Sequence, residues 1–83
     1  MNTLNFCKDW EEIHEFTSLE EFERFISFLN SLLKESKIIE IPAESYYITS
    51  NEWNKERWFI CGKTKWRLVP PDFPFKGLFI KVK

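Results

Sequence analysis

The sequence predicts an α+β domain, in which one long amphipathic helix packs on a small, mainly antiparallel sheet of three to five strands. Two observations predict this fold. The first is an apolar stripe at helical spacing between residues 19 and 36, and the second is a series of short β-branched and aromatic runs in the second half of the chain. A lone amphipathic helix and a small sheet are each unstable in water, so each needs the other as a cover.

Size and composition favour one compact unit. The chain has 83 residues, and we expect a single domain over residues 1–83. Its hydrophobic content of 43% and aromatic content of 18% suffice for one modest core. No apolar run approaches the ~20 residues that cross a bilayer, and the first six residues lack the basic region and apolar core of a secretion signal. We therefore expect a cytoplasmic location.

The helix has a clear start signal in the sequence. Ser18 can cap it, Glu21 completes a Ser-x-x-Glu capping box, and Phe16 and Phe22 match a hydrophobic staple. The helix is predicted from Leu19 to about Ser36. The apolar stripe that defines it consists of Leu19, Phe22, Phe25, Ile26, Leu29, Leu32 and Leu33.

The remaining elements are shorter. Ahead of the helix, Trp10, Ile13 and Phe16 step by three residues, which suits an irregular helix or a turn. After it, runs rich in β-branched and aromatic residues predict strands, and Pro42 ends the first of them. The predicted strands are Lys37–Ile41, Tyr46–Thr49, Arg57–Cys61, Lys65–Val69 and Leu78–Val82.

The hairpin around Gly62 has two candidate registers. A two-residue loop of Gly62 and Lys63 pairs Phe59 with Trp66, whereas a three-residue loop pairs Ile60 with Trp66. A slip of one residue changes which side chains share a face of the sheet. Glycine in the first loop position is typical of a tight hairpin turn, so we favour the two-residue loop.

The residues of catalysis and metal binding are scarce. Cys7, Cys61 and His14 are the only cysteines and the only histidine, and there is no CxxC pair and no glycine-rich phosphate loop. We therefore expect a non-enzyme without a metal ion or another cofactor. In a cytoplasm both thiols are expected to be reduced, although the sequence leaves a Cys7–Cys61 bridge open.

Charge divides the chain into an acidic and a basic half. Residues 1–40 have a net charge of −5 and residues 41–83 a net charge of +4, and between residues 9 and 23 there are seven carboxylates and no Lys or Arg. Such a surface can meet a basic protein or imitate nucleic-acid phosphates, although a solvated helix face explains it more simply. Trp10 is the candidate apolar anchor. The predicted partner-binding residues are Asp9, Trp10, Glu11, Glu12, Glu15, Glu20, Glu21 and Glu23.

The basic half interleaves cations with aromatic rings. Many single-strand RNA binders use this combination on an open sheet, although a sheet with one wet face and an aromatic core explains it as well. The residues concerned are Lys55, Arg57, Lys63, Lys65, Arg67 and Lys81, with Trp53, Trp58, Phe59, Trp66 and Phe79. A small single-stranded nucleic-acid-binding module is therefore the alternative function.

The segment from Trp66 to Gly77 carries three prolines among large apolar residues, so it is neither a helix nor a central strand. It resembles the closing motif of small bacterial immunity proteins that neutralise polymorphic toxins of the contact-dependent growth inhibition type. The resemblance spans roughly Arg57–Val82, and the final strand departs from it. The matching residues are Trp66, Leu68, Pro71, Asp72, Pro74, Phe75 and Gly77.

The resemblance implies function by binding. A cognate toxin C-terminal domain, often a nuclease, would be held inactive by occlusion of its active site or its substrate surface. The motif itself is expected to be structural, with Asp72 accepting backbone N–H groups in a turn, Gly77 adopting positive φ, and Trp66 and Phe75 closing the core. A phage-encoded inhibitor of a host defence nuclease would rely on the same acidic surface. We expect neither a membrane nor a small-molecule substrate as partner.

Overall fold

A computed structural model describes residues 7, 10–45, 47, 56–72 and 74–82, and it confirms the α+β class. One helix packs on a four-stranded antiparallel sheet. The elements in chain order are helix α1 (Leu19–Lys34) and strands β1 (Ile39–Ile41), β2 (Arg57–Cys61), β3 (Thr64–Val69) and β4 (Leu78–Lys81). The predicted strand Tyr46–Thr49 lies outside the described residues except for Tyr47, which is not part of a strand.

The sheet is a simple meander, because the spatial order β1-β2-β3-β4 is also the chain order. Phe59 pairs with Trp66, and Trp58 pairs with Arg67, so the two-residue loop is confirmed. Gly62 in the first loop position has a φ of +63°. This conformation explains the register, because a residue with a β-carbon would resist the positive φ that the tight turn needs.

The start of α1 confirms the capping signal. The Glu21 N–H donates to Ser18 Oγ over 3.0 Å, and Glu21 Oε1 accepts the Thr17 N–H over 2.8 Å. The rings of Phe16 and Phe22 meet edge to face with centroids 5.2 Å apart. The Glu21 N–H, one of the four at this end that lack a partner within the helix, therefore bonds to the cap. The Glu21 carboxylate accepts the N–H one residue ahead of Ser18, whereas in a standard capping box it accepts the N–H of the cap residue itself.

α1 ends at Lys34, two residues before the predicted end. Ser36 has a φ of +61°, and this left-handed residue turns the chain out of the helix. The Lys37 N–H donates to the Leu32 carbonyl over 2.9 Å and the Ser36 N–H to the Leu33 carbonyl over 3.0 Å. This pair of bonds is the Schellman motif, whose left-handed position is usually glycine.

Replacing Ser36 with glycine should therefore stabilise the protein. We expect Ser36→Gly to raise the free energy of unfolding by about 1 kcal/mol, because it removes the steric cost of a side chain at positive φ. Urea unfolding followed by circular dichroism measures the change. The matched control is Ser31→Gly inside α1, which should lower stability by about 0.5 kcal/mol. A lower midpoint for Ser36→Gly would contradict the assignment.

The main core lies between α1 and the sheet. Trp66 and Phe79 stack face to face in its centre, with ring centroids 4.8 Å apart. The opposite face of the sheet is covered as well, because Trp58, Val69 and Leu78 are also buried. The buried residues of the main core are Cys7, Phe16, Leu29, Leu32, Ile38, Phe59, Cys61, Trp66, Leu68 and Phe79.

The N-terminal segment, defined here as residues 10–17, runs along β4. Ile13 and Phe79 exchange two backbone hydrogen bonds of 2.8 Å, and the Phe16 N–H donates to the Lys76 carbonyl over 3.1 Å. The Lys81 N–H donates to Glu12 Oε2 over 2.9 Å. A turn is present just before the segment, closed by a bond from the Trp10 N–H to the Cys7 carbonyl. The segment itself is not helical, because its backbone bonds go to β4 and the neighbouring loop.

Cys7 and Cys61 form a disulfide bridge. The expectation that both thiols are reduced is therefore wrong for this structure, and the bridge that the sequence left open is present. Both cysteines are buried, Cys61 at the end of β2 and Cys7 three residues ahead of the N-terminal segment. The bridge thus fastens the start of this segment to the sheet.

The segment from Trp66 to Gly77 only partly matches its predicted structure. Its first four residues, Trp66–Val69, are the end of β3, an inner strand of the sheet, so the expectation that the segment contains no central strand is wrong for them; the prolines begin only after the strand has ended. The backbones of Asp72 and Phe75 exchange two hydrogen bonds of 2.8 and 3.0 Å across a tight turn. Gly77 has a φ of +80°, and a β-carbon there would lie 2.9 Å from the Val69 carbonyl oxygen. Trp66 is in the main core, whereas Phe75 is not. Phe75 is half-buried and stacks on Tyr47, with centroids 6.0 Å apart.

Candidate protein-binding groove

A shallow groove runs between the N-terminal segment and α1. Its volume is about 700 Å³. The aromatic rings of Phe25 and Phe28 form its apolar surface, and Phe28 remains 44% exposed. The charged and titratable residues that line the groove beside these rings are three glutamates, one arginine and one histidine: Glu12, Glu15, Glu21, Arg24 and His14. An exposed aromatic surface bordered by charges is typical of a protein-binding site rather than of a catalytic cleft.

A smaller depression adjoins the groove and shares two rings with it. Its volume is about 210 Å³, and it is lined by Trp10, Glu11, Phe25, Phe28 and Phe79. We call it the aromatic cup. Trp10 lies against Phe28 and Phe79, with ring centroids 5.9 and 6.0 Å away. Phe79 is fully buried, so its ring forms the bottom of the cup.

The structure brings together part of the predicted partner-binding set. Trp10 and Glu11 line the aromatic cup, and Glu12, Glu15 and Glu21 line the groove. Glu12 and Glu21 also have structural roles, because each accepts a backbone N–H. Glu20 and Glu23 line neither cavity, and Glu20 pairs with Arg24 instead. Asp9 lies outside the described residues.

Trp10 contributes to the fold as well as to the cup. It is half-buried, and its ring meets that of Trp66 edge on at 5.7 Å. Only part of this ring is therefore open to a partner. Phe28 is the groove residue that the sequence analysis missed, since it lies outside the predicted stripe. An aromatic residue at the margin of a helical stripe was the available signal.

Three cations of the basic surface predicted from the second half of the chain, Arg57, Lys65 and Arg67, are paired with carboxylates. Lys65 Nζ lies 2.7 Å from Glu44 Oε2, Arg57 binds Glu40, and the Lys81 ammonium lies 5.7 Å from the centre of the Trp66 ring. The aromatic rings of this set that the structure describes are buried: Trp58, Phe59, Trp66 and Phe79. Lys63 is exposed, and Trp53 and Lys55 lie outside the described residues. The buried rings offer no surface on which nucleotide bases could stack.

Arg57 and Glu40 form a bidentate pair between β2 and β1. Arg57 Nε and Nη2 donate to the two carboxylate oxygens of Glu40 over 2.9 and 2.8 Å. Hydrogen bonds from Arg57 lower the pKa of Glu40, and the bonds to Glu40 raise the pKa of Arg57. The pair is partly open to solvent, since the Glu40 side chain is 41% exposed.

This pair should make a small, pH-dependent contribution to stability. A carboxyl whose pKa is lower in the folded state stabilises the fold above its ordinary value of 4.5, and the benefit is lost as the pH falls through the lowered pKa. We expect Glu40→Gln to cost less than about 1 kcal/mol at neutral pH, because solvent screens the pair, and to cost less at about pH 3 than at neutral pH, because the carboxyl group begins to take up its proton. Urea unfolding at both pH values tests this. A difference that persists undiminished in acid would contradict it.

A buried ionic network lies on the opposite face of the sheet. The Glu56 side chain is fully buried, and Oε2 accepts both the Trp58 indole N–H and the Arg67 Nε–H. Its Oε1 accepts the Tyr47 N–H over 2.7 Å. The Arg67 guanidinium lies over the rings of Tyr47 and Trp58, at 5.4 and 5.2 Å from their centres. Because both carboxylate oxygens of Glu56 accept hydrogen bonds from the protein itself, this network stabilises the fold rather than binding a ligand.

A further depression of about 430 Å³ has Glu12, His14, Arg67 and Lys81 among its lining residues. His14 is largely exposed, and its Nε2 lies 3.7 Å from Glu12 Oε1. The described residues hold no group of His, Cys, Asp and Glu side chains that could bind a metal ion. In the same part of the chain, no helix combines the length and apolar character that a membrane crossing requires.

In comparisons with protein-family models, with curated proteins and with solved structures, nothing matches this chain. The resemblance of the Trp66–Gly77 segment to immunity proteins therefore stays a prediction. The groove and the aromatic cup carry the functional argument from the structure.

Proposed function

We propose that this protein is an immunity protein, which binds a cognate bacterial toxin domain and keeps it inactive. The toxin is proposed to be a basic nuclease whose active site or substrate surface the protein occludes. The observation that carries the proposal is the groove, because it places an exposed aromatic surface and several carboxylates on the same face. This combination supports binding of a positively charged protein surface.

A nuclease is a suitable partner on physical grounds. Enzymes that act on nucleic acids bind phosphates with Lys and Arg, so the surface that surrounds their active site is cationic. Glu11 and Glu15 are exposed beside the groove and can pair with such cations. The aromatic rings supply the apolar contact that fixes the complex. The nucleic-acid-binding alternative lacks this support, because the described rings of the basic half are buried.

A cytoplasmic location is part of the proposal, and the disulfide argues against it. Cytosolic thiol systems keep cysteines reduced, whereas bridges persist in oxidising compartments. In the cytoplasm the protein would therefore act in its reduced form. Packing of Ile13 and Phe16 against the sheet would then have to hold the N-terminal segment in place.

The decisive experiment pairs the protein with a toxin domain, which is sought first in the gene directly upstream of its own. Co-expression should protect cells from the toxin, and the purified proteins should form a stoichiometric complex. Isolation from the native host of a complex with no toxic or nuclease component, or growth arrest despite co-expression, would reject the proposal.

The rate of association should depend on charge at the groove. We expect Glu11→Lys with Glu15→Lys to lower the association rate by about ten- to hundredfold at low salt, because electrostatic steering is lost. Glu12 is left unchanged, because its carboxylate accepts the Lys81 N–H. Stopped-flow mixing over a range of salt concentrations measures the effect.

A charge-matched control separates the groove from net charge. Glu35→Lys with Glu44→Lys makes the same change at two exposed positions outside the groove. This variant should associate at close to the parental rate. Equal slowing of both variants would mean that the groove is not the interface, although protection in cells could still stand.

A further inference from the structure

We propose that the aromatic cup receives the cationic side chain of an arginine or lysine from a basic protein partner. The inference deepens the proposed function and rests on it, since the proposed toxin domain is the protein that would present this side chain. The cup is lined by Trp10, Glu11, Phe25, Phe28 and Phe79.

The cup is aromatic on several sides. Phe25 lies 4.8 Å from Phe79 and 6.0 Å from Phe28, measured between ring centroids, and Trp10 completes the group at 5.9 Å from Phe28. Faces of aromatic rings carry negative potential, so rings within about 6 Å of one point attract a cation. The stem of a long cationic side chain also packs well on rings, since it is aliphatic.

Glu11 supplies the charge that selects a cation. It is exposed, and among the described residues that line the cup it is the single ionisable one. A neutral apolar occupant would remove water from this carboxylate without giving it a partner, which costs free energy. An ammonium or guanidinium group can pair with Glu11 while its stem covers Phe28.

The same cluster of rings already holds a cation elsewhere in the fold. The Lys81 ammonium lies 5.7 Å from the centre of Trp66, whose ring in turn contacts Trp10. Lys81 does not line the cup, so the Lys81 ammonium group does not fill it. The volume of about 210 Å³ suits a single side chain rather than a helix or a nucleotide.

The test titrates the full chain with four blocked tripeptides, in which arginine, lysine, citrulline or norleucine stands between two glycines. Nuclear magnetic resonance follows the Trp10 indole and the Glu11 and Phe28 signals. The arginine or lysine peptide should shift them and bind about threefold to thirtyfold more tightly than its neutral counterpart, the range expected for a ring-held cation. Equal binding of neutral and cationic peptides, or no shift at these residues, would overturn the proposal.

Variants confirm the origin of any selectivity. Phe28→Leu keeps apolar volume without a ring, and Glu11→Gln removes the charge, so each should lower the preference for the cation severalfold. Glu35→Gln, at an exposed carboxylate outside the cup, should leave it unchanged. Retained preference in both cup variants would place the cation elsewhere. A toxin complex that forms normally while the peptides show no selectivity would reject the cup and leave the proposed function standing.

Discussion

Reduction of the Cys7–Cys61 bridge should lower the free energy of unfolding by about 4 kcal/mol, the loop-closure contribution for cysteines 54 residues apart. The loss arises mainly because the reduced unfolded chain regains conformational freedom. Guanidinium unfolding with and without reductant gives the value directly. For a domain of this size the loss is a large part of the total stability.

The effect should be strongest in the N-terminal segment. With the bridge open, packing and hydrogen bonds such as those from Ile13 and Phe16 to Phe79 and Lys76 must hold the segment without a covalent link, so hydrogen exchange at Ile13 and Phe16 should accelerate more than in β3. The double variant Cys7→Ala with Cys61→Ala serves as control, because reductant should not change its stability. Identical unfolding of the oxidised and reduced protein would contradict the prediction.

Loss of the Glu56 carboxylate should destabilise the protein by about 3–5 kcal/mol. Glu56→Gln keeps the size of the side chain but leaves the Arg67 charge buried without its counter-ion, and the Arg67 side chain is only 14% exposed. Arg67 Nη2 already lacks a hydrogen-bond partner among the described residues, so no spare acceptor in the network can replace the lost carboxylate. Urea unfolding at neutral pH measures the change.

A double variant distinguishes the ion pair from general damage to packing. Glu56→Leu with Arg67→Met removes both charges and keeps apolar contact with Tyr47 and Trp58. It should lose less stability than Glu56→Gln alone, because no unpaired charge remains buried. If the loss in the double variant equals the sum of the losses in Glu56→Leu and Arg67→Met measured separately, Glu56 and Arg67 act independently.

Features with local causes could be predicted from the sequence. The start of α1 follows from Ser18 and Glu21, three residues apart, and the hairpin register follows from Gly62 at the first loop position. Each signal acts within one turn of chain, so the spacing alone predicts it. The early end of α1 was not predicted, because serine, unlike glycine, is not typical of a left-handed backbone conformation.

Features with distant causes could not be predicted. The Lys81 N–H and the Glu12 carboxylate are 69 residues apart in sequence, and nothing in the spacing of either residue predicts their hydrogen bond. The same holds for the Cys7–Cys61 pair and for Glu56, whose burial depends on the meeting of Tyr47, Trp58 and Arg67. For the groove, the acidic residues could be predicted from sequence, whereas Phe28 was missed: its place at the margin of the helical stripe is a weak signal, and its exposure depends on how the N-terminal segment lies.

The order of the strands bears on how the protein is made. The strands become neighbours in the order in which a ribosome releases them, so the meander can grow by local steps. The N-terminal segment is synthesised before all four strands, yet the strand on which it docks, β4, is the last of the four. The aromatic cup is therefore incomplete on a nascent chain until synthesis has passed Phe79.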